Sequence, residues 1–219
     1  MSKPQQSAVK RPTTQLYLVT PLIDDVDAFA DALRGAIESA AITAVLLRLK
    51  PAGERELVNR VKTLASIVQP KEAALVLYGH AEIAARAGAD GAHLTGIEAF
   101  NAAIDSLKPA RIAGCGGLNT RHDAMLVAER GADYVMFGEI ETDGHRPSFA
   151  AIVERIEWWA ELFSIPCVGY AAGLHEIGPL AAVRADFVAV GDCIWDDPRG
   201  PVAALADAAK QIAMPEAVA

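Results

Sequence analysis

Cysteine is scarce in this chain. Cys115, Cys167 and Cys193 lie far apart and are odd in number, which argues against a disulfide framework and fits a reduced, cytoplasmic compartment. No two of them stand at metal-ligand spacing, so a zinc finger or ribbon is not expected. Aromatic residues make up only 6% of the 219 positions and do not interleave with basic ones. Lys and Arg total 20 against 28 Asp and Glu, a net charge of −8. That balance argues against nucleic acid as a partner, and any anionic ligand must be met by local positive charge. No apolar run reaches the roughly 18 to 20 residues of a membrane span, so no membrane partner is expected. Residues 1–14 are polar and lack the apolar core of a secretory signal, so they read as a disordered arm.

What the chain does have is apolar content, 52% of its residues, enough to bury one sizeable core. Short β-branched and aliphatic runs alternate with longer Ala-rich amphipathic stretches, the pattern of βα units. Strands are expected at 15–21, 44–49, 73–78, 91–94, 111–114, 134–138, 166–170 and 187–191. Helices are expected at 25–40, 54–68, 81–87, 97–107, 120–130, 148–163, 175–183 and 201–213. Eight such pairs predict a (βα)8 TIM barrel, one domain over 15–219. A near-repeat supports regular units: Ala89-Asp90-Gly91, Ala132-Asp133-Tyr134 and Ala185-Asp186-Phe187 each precede a strand. These aspartates belong to the αβ turns at the barrel base, where they are expected to satisfy backbone N–H groups rather than do chemistry.

In such barrels chemistry gathers where strands end and loops begin, at the C-terminal face. Arg48 and Lys50 interrupt the aliphatic run Val45-Leu46-Leu47-Arg48-Leu49-Lys50 with a two-residue phase, so both are expected on one side of the second strand's end, where two cations can grip a phosphate or diphosphate. Gly114-Cys115-Gly116-Gly117 is a Gly-rich strand-to-helix turn of the kind that offers backbone N–H groups to an anion. Cys115 has no base beside it in sequence and reads as a packed thiol. Further polar residues at strand ends are His93, Glu98, Glu139, Arg146, Tyr170 and Asp192.

Over almost the whole chain after Thr14 the motifs resemble the thiamine phosphate synthase family and its relative, the thiazole tautomerase. The stretches that carry the resemblance are Leu16-Tyr17-Leu18-Val19-Thr20, Leu47-Arg48-Leu49-Lys50, Gly88 to Leu94, Gly131 to Gly138 and Ile165-Pro166-Cys167-Val168. The resemblance implies a (βα)8 enzyme that joins an aminopyrimidine diphosphate to a thiazole phosphate. Loss of diphosphate leaves a carbocation-like centre that the thiazole nitrogen captures. It further implies small phosphorylated heterocycles as partners, Mg2+ on the leaving group, a cytoplasmic location and a possible homo-oligomer. Arg48, Lys50 and Arg146 would take the catalytic, diphosphate-handling roles, and Glu98 would hold the metal. His93, Gly114, Gly116, Gly173 and Asp192 would line the substrates.

Several positions depart from the family pattern. Leu46 stands where the family has a pyrimidine-reading Gln, and Tyr78-Gly79-His80 replaces an Asn-Asp-Arg whose Asp holds metal. Gly116 replaces a serine, Arg146 a lysine, and Asp192 a phosphate-binding serine. The segment Phe137 to Asp143 is closer to the tautomerase branch, whose general-base histidine corresponds to Leu118; His122, one turn later, is expected on a helix surface. Three readings stay open on sequence: a synthase-type transferase, proton-transfer chemistry on a small phosphate through His93, Glu139 or His122, and a non-catalytic binding barrel.

Overall fold

The computed structural model describes residues 13–140 and 144–214. Of the expected N-terminal arm, residues 1–12 lie outside the described residues. Eight parallel strands close into one ring: β1 (Gln15–Ile23), β2 (Ile42–Leu49), β3 (Ala74–Tyr78), β4 (Gly91–Thr95), β5 (Ile112–Gly116), β6 (Tyr134–Phe137), β7 (Cys167–Ala171) and β8 (Phe187–Val190). The outer helices are α1 (Val26–Ser39), α2 (Glu54–Val68), α3 (Ala81–Ala87), α4 (Ile97–Leu107), α5 (Arg121–Glu129), α6 (Phe149–Leu162), α7 (Ile177–Ala182), α8 (Asp192–Trp195) and α9 (Pro201–Ala213). The expected (βα)8 barrel is therefore the fold.

Besides an unexpected 3-10 turn at Gln69–Lys71, two elements differ from the sequence reading. The helix expected at 175–183 divides into a 3-10 turn, Leu174–Glu176, and α7. In that turn the Glu176 N–H donates to the Gly173 carbonyl at 3.0 Å. The four-residue α8 was not expected, because so short an apolar run leaves no periodic signal.

Strand alternation sorts the core into two compartments. Residues such as Val45, Leu47 and Leu49 point outward to the helices. Tyr17, Val19, Leu46, Val76, Tyr134, Met136, Val168 and Tyr170 fill the barrel interior. The helices follow from the same logic: α1 buries Val26, Leu33, Ala36 and Ile37 on one face, and Asp25 caps it by accepting from the Ala28 N–H.

The repeated aspartates do the job expected of them. Asp90 accepts from the Leu75 N–H at 2.7 Å, Asp133 from the Ala113 N–H at 2.7 Å, and Asp186 from the Cys167 N–H at 2.8 Å. Each carboxylate thus caps the first turn-facing amide of the preceding strand, β3, β5 or β7, where no ladder partner is available. Among the described residues no helix is long and apolar enough to cross a membrane.

Candidate active site at the barrel mouth

Arg48, Lys50, Glu98, Arg146 and Asp192 all lie at or past the C-terminal ends of strands, as expected, but they are engaged very differently. Arg48, at the end of β2, shares the inward phase of Ala44 and Leu46. The β1–β2 register shifts between Val19 and Leu22, and there the buried Thr20 hydroxyl accepts from the Arg48 N–H at 3.0 Å. That bond fixes the end of β2 and turns Arg48 into the mouth. Its guanidinium makes no hydrogen bond or ion pair with any described residue. Lys50 lies past the strand, exposed, and pairs with Asp24 at 3.1 Å.

Arg146 is fully committed. Its Nη1 and Nη2 donate to the two Glu176 oxygens at 2.9 and 2.8 Å, Nη2 also to the Tyr170 carbonyl at 2.8 Å, and Nε to the Gly138 carbonyl at 2.8 Å. Glu176 in turn accepts from the Ala172 N–H at 2.8 Å. The pair clamps the loop after β6 to the turn after β7, at Gly173. Glu176 was not singled out from sequence, since its partner is 30 residues away.

The Gly-rich turn after β5 also meets a carboxylate of the chain itself. Glu139 Oε2 accepts from the Gly117 N–H at 2.9 Å, and Oε1 faces His93 Nε2 at 3.0 Å. A Cβ on Gly116 would lie 1.6 Å from Glu139 Oε2, and one on Gly114 would lie 2.0 Å from the Tyr134 ring. The two glycines are thus the vacant half of the inner wall that lets Tyr134 and Glu139 fold inward. The start of α5 is closed by its own capping box between Thr120 and Asp123.

Beneath Glu139 runs a buried polar line. His93 Nδ1 is 2.9 Å from the Tyr134 hydroxyl, which is 2.8 Å from the Tyr17 hydroxyl. His93 is fully buried and lies between the roughly parallel rings of Tyr78 and Tyr134. Burial pushes the phenols of Tyr17 and Tyr134 well above their ordinary pKa, so both keep their protons. Tyr170, on β7, is pushed up to about 12 by burial first, then by Asp192, while Arg48 pulls the other way. Arg48, Tyr170, Asp192 and Glu139 therefore share one electrostatic neighbourhood.

For a divalent cation the donors do not fit a preformed site. Glu98 is exposed in the first turn of α4, His80 faces Glu82 at 3.4 Å, and no cluster of three potential ligands occurs among the described residues. Glu141 and Asp143 lie outside the described residues. Cys115 is buried, and His122 is exposed on α5, as the sequence reading expected.

The thiamine monophosphate synthase family model matches residues 16–194. The chain belongs to that family. A thiamine-phosphate synthase from Rhodospirillum centenum is 36% identical over 196 residues, 88% of this chain and 95% of the relative. One from Hyphomonas neptunium is 32% identical, over 91% and 94% of the two chains. Among solved structures, thiamine phosphate pyrophosphorylase from Pyrococcus furiosus superposes with a TM-score of 0.73 at 23% identity, over 91% of this chain and 95% of that one. The 3-hexulose-6-phosphate synthase of Salmonella typhimurium gives 0.71 at 15% identity, over 92% and 100%. These last two likenesses speak to the barrel alone. The Glu139 carboxylate fills the space that a side chain at position 116 would occupy.

Proposed function

We propose that this protein is a thiamine-phosphate-synthase-type transferase, joining an aminopyrimidine diphosphate to a thiazole phosphate with release of diphosphate. The observation that carries the reading is Arg48: a partly buried guanidinium turned into the mouth, with no hydrogen bond or ion pair to any described residue, in the position where the family grips diphosphate. A guanidinium left without a carboxylate partner is matched to a bidentate anion.

In the reaction the bond between the pyrimidine methylene carbon and the diphosphate oxygen breaks, and its electron pair leaves with the diphosphate. Arg48 stabilises the charge that builds on that leaving group, and Lys50 can add a second charge once released from Asp24. The thiazole nitrogen lone pair then forms the new bond to the methylene carbon. The apolar wall of Val19, Leu46 and Val76 keeps water from the cationic centre. Arg146 acts by holding the loop after β6 against the turn at Gly173, and Gly173 and Asp192 flank the proposed thiazole-phosphate end. Magnesium is proposed to bind weakly or only together with diphosphate, because Glu98 offers a single carboxylate. Three free cysteines, two of them buried, fit the proposed cytoplasmic location.

The test is turnover: purified protein with both substrates and magnesium should release diphosphate and form the coupled product. Absence of product in the presence of both, with the protein folded, would overturn the proposal.

A further inference from the structure

The polar line through the barrel has only one consistent arrangement of hydrogens. Both tyrosine hydroxyls are protonated, and among the described residues Tyr17 has no hydrogen-bond partner but Tyr134. Tyr17 must therefore donate to Tyr134, and Tyr134 to His93 Nδ1. That leaves the His93 hydrogen on Nε2, aimed at Glu139 Oε1. The reverse direction would strand the Tyr17 hydrogen in the barrel interior without an acceptor and set a bare imidazole nitrogen against a carboxylate. Glu139 is thus gripped by two donors, the His93 Nε2–H and the Gly117 N–H, in a space opened by the absent side chain of Gly116. A carboxylate accepts about four hydrogen bonds, so the remaining lone pairs face the mouth, where Glu139 keeps 17% side-chain exposure.

The mouth is also polarised. Arg48 ends β2 and Glu139 follows β6, four strands apart in an eight-stranded ring, so the free cation and the gripped anion stand on opposite sides. A ligand matching that arrangement carries an anionic group at one end and hydrogen-bond donors at the other. Leu46, two residues before Arg48 on the same inward face of β2, is buried and apolar and can read no polar edge.

We infer that Glu139 is the specificity-determining residue for the first substrate: its carboxylate accepts from the exocyclic amino group of the aminopyrimidine while Arg48 holds the diphosphate across the mouth. His93 acts through Glu139 as a positioning residue, its tautomer set by the two tyrosines. The inference rests on the transferase reading for the identity of the ligand, and its test is a binding measurement that does not depend on turnover.

Calorimetry would compare three ligands: the aminopyrimidine diphosphate, its analogue with hydrogen in place of the amino group, and inorganic diphosphate. The wild-type protein should bind the amino compound about tenfold or more tighter than the analogue, the scale of one hydrogen bond to a charged group. Glu139→Ala, which removes the acceptor outright, should bind the two pyrimidines alike and inorganic diphosphate as the wild type does. The comparison of the two pyrimidines on wild-type protein needs no variant to fold. Equal affinity of the wild type for both, or a preference that survives in Glu139→Ala, would overturn the inference and leave the transferase proposal standing. Loss of the transferase proposal would instead show as absent turnover, with the binding contrast still deciding the role of Glu139.

Discussion

The Arg146 guanidinium and the Glu176 carboxylate meet edge to edge, Nη1 to Oε1 at 2.9 Å and Nη2 to Oε2 at 2.8 Å, with side-chain exposures of 15% and 7%. Removing one member of so enclosed a pair leaves the other charge uncompensated. Arg146→Met and Glu176→Leu should therefore each cost about 3 to 5 kcal/mol of stability. The double variant Arg146→Met/Glu176→Leu should lose much less than the two single losses added together. Urea unfolding of the four proteins measures both; additive losses would show that the two side chains act independently.

Arg48 and Lys50 should separate in their effects on ligand binding. Arg48→Ala should weaken inorganic diphosphate binding by about 1.5 to 3 kcal/mol, the range for a charged hydrogen bond, while leaving stability nearly unchanged, since no described partner is lost. Lys50→Ala should have the smaller effect, because Lys50 must first leave Asp24. Asp24→Asn should tighten diphosphate binding by freeing it. Titration calorimetry with diphosphate orders the variants, and a weaker Asp24→Asn would contradict the account.

At the thiazole end, Asp192→Ser should strengthen binding of a thiazole phosphate, because a repelling carboxylate gives way to a hydroxyl donor. Asp192 is exposed, and its side chain makes no hydrogen bond with any described residue. Affinity for the phosphate compound, measured against the corresponding unphosphorylated alcohol, isolates the effect; an equal gain for both compounds would rule it out.

Gly116→Ser should push Glu139 out of its seat, since the new Cβ would fall on Oε2 and within 2.8 Å of His93 Nε2. Overpacking of this kind costs about 1 to 3 kcal/mol. In a Glu139→Ala background the same serine should cost less, since only the 2.8 Å contact with His93 Nε2 remains, and thermal melts of the single and double variants reveal whether the two positions compete for one volume.

The thiols should be slow. Burial pushes Cys115 and Cys167 up to about 12, with Glu139 a further cause at Cys115 and Asp186 at Cys167. At pH 8 about one in ten thousand of either is thiolate. Both folded values lie above the unfolded one, so their neutral forms favour the native state below pH 9, and that contribution is lost as pH rises from 9 towards 12. Disulfide-exchange reagents at pH 8 should modify Cys193, the partly exposed one, ahead of the other two, and all three rapidly after denaturation.

The barrel was legible because strand and helix periods alternate without interruption and because the Ala-Asp turns recur before strands. The inward turn of Arg48 was legible for the same reason: its phase matches Leu46. Lys50 shares that phase but lies beyond the ladder, where Asp24, distant in sequence, draws it aside. Likewise Arg146 offers a positive charge in sequence, yet Glu176 uses it up, and Tyr17 and Tyr134 are 117 residues apart. One signal in the sequence did point to the inner network: glycine at both upper inward positions of β5, which leaves a hollow that large groups from across the barrel must fill.

The aspartate caps at the barrel base also set an order of assembly. They join residues only 15, 20 and 19 positions apart, loops whose closure costs little chain entropy. Sealing the ring at β1 and β8 joins Thr14 to Ala185 across 171 positions. Contacts so short-ranged form early and ones so long-ranged form late. The chain should therefore build βαβ pieces, each pinned by its own aspartate, before the first strand finds the last. Amide exchange during refolding should protect Leu75, Ala113 and Cys167 ahead of Gln15, whose N–H bonds to the Asp186 carbonyl across the seam.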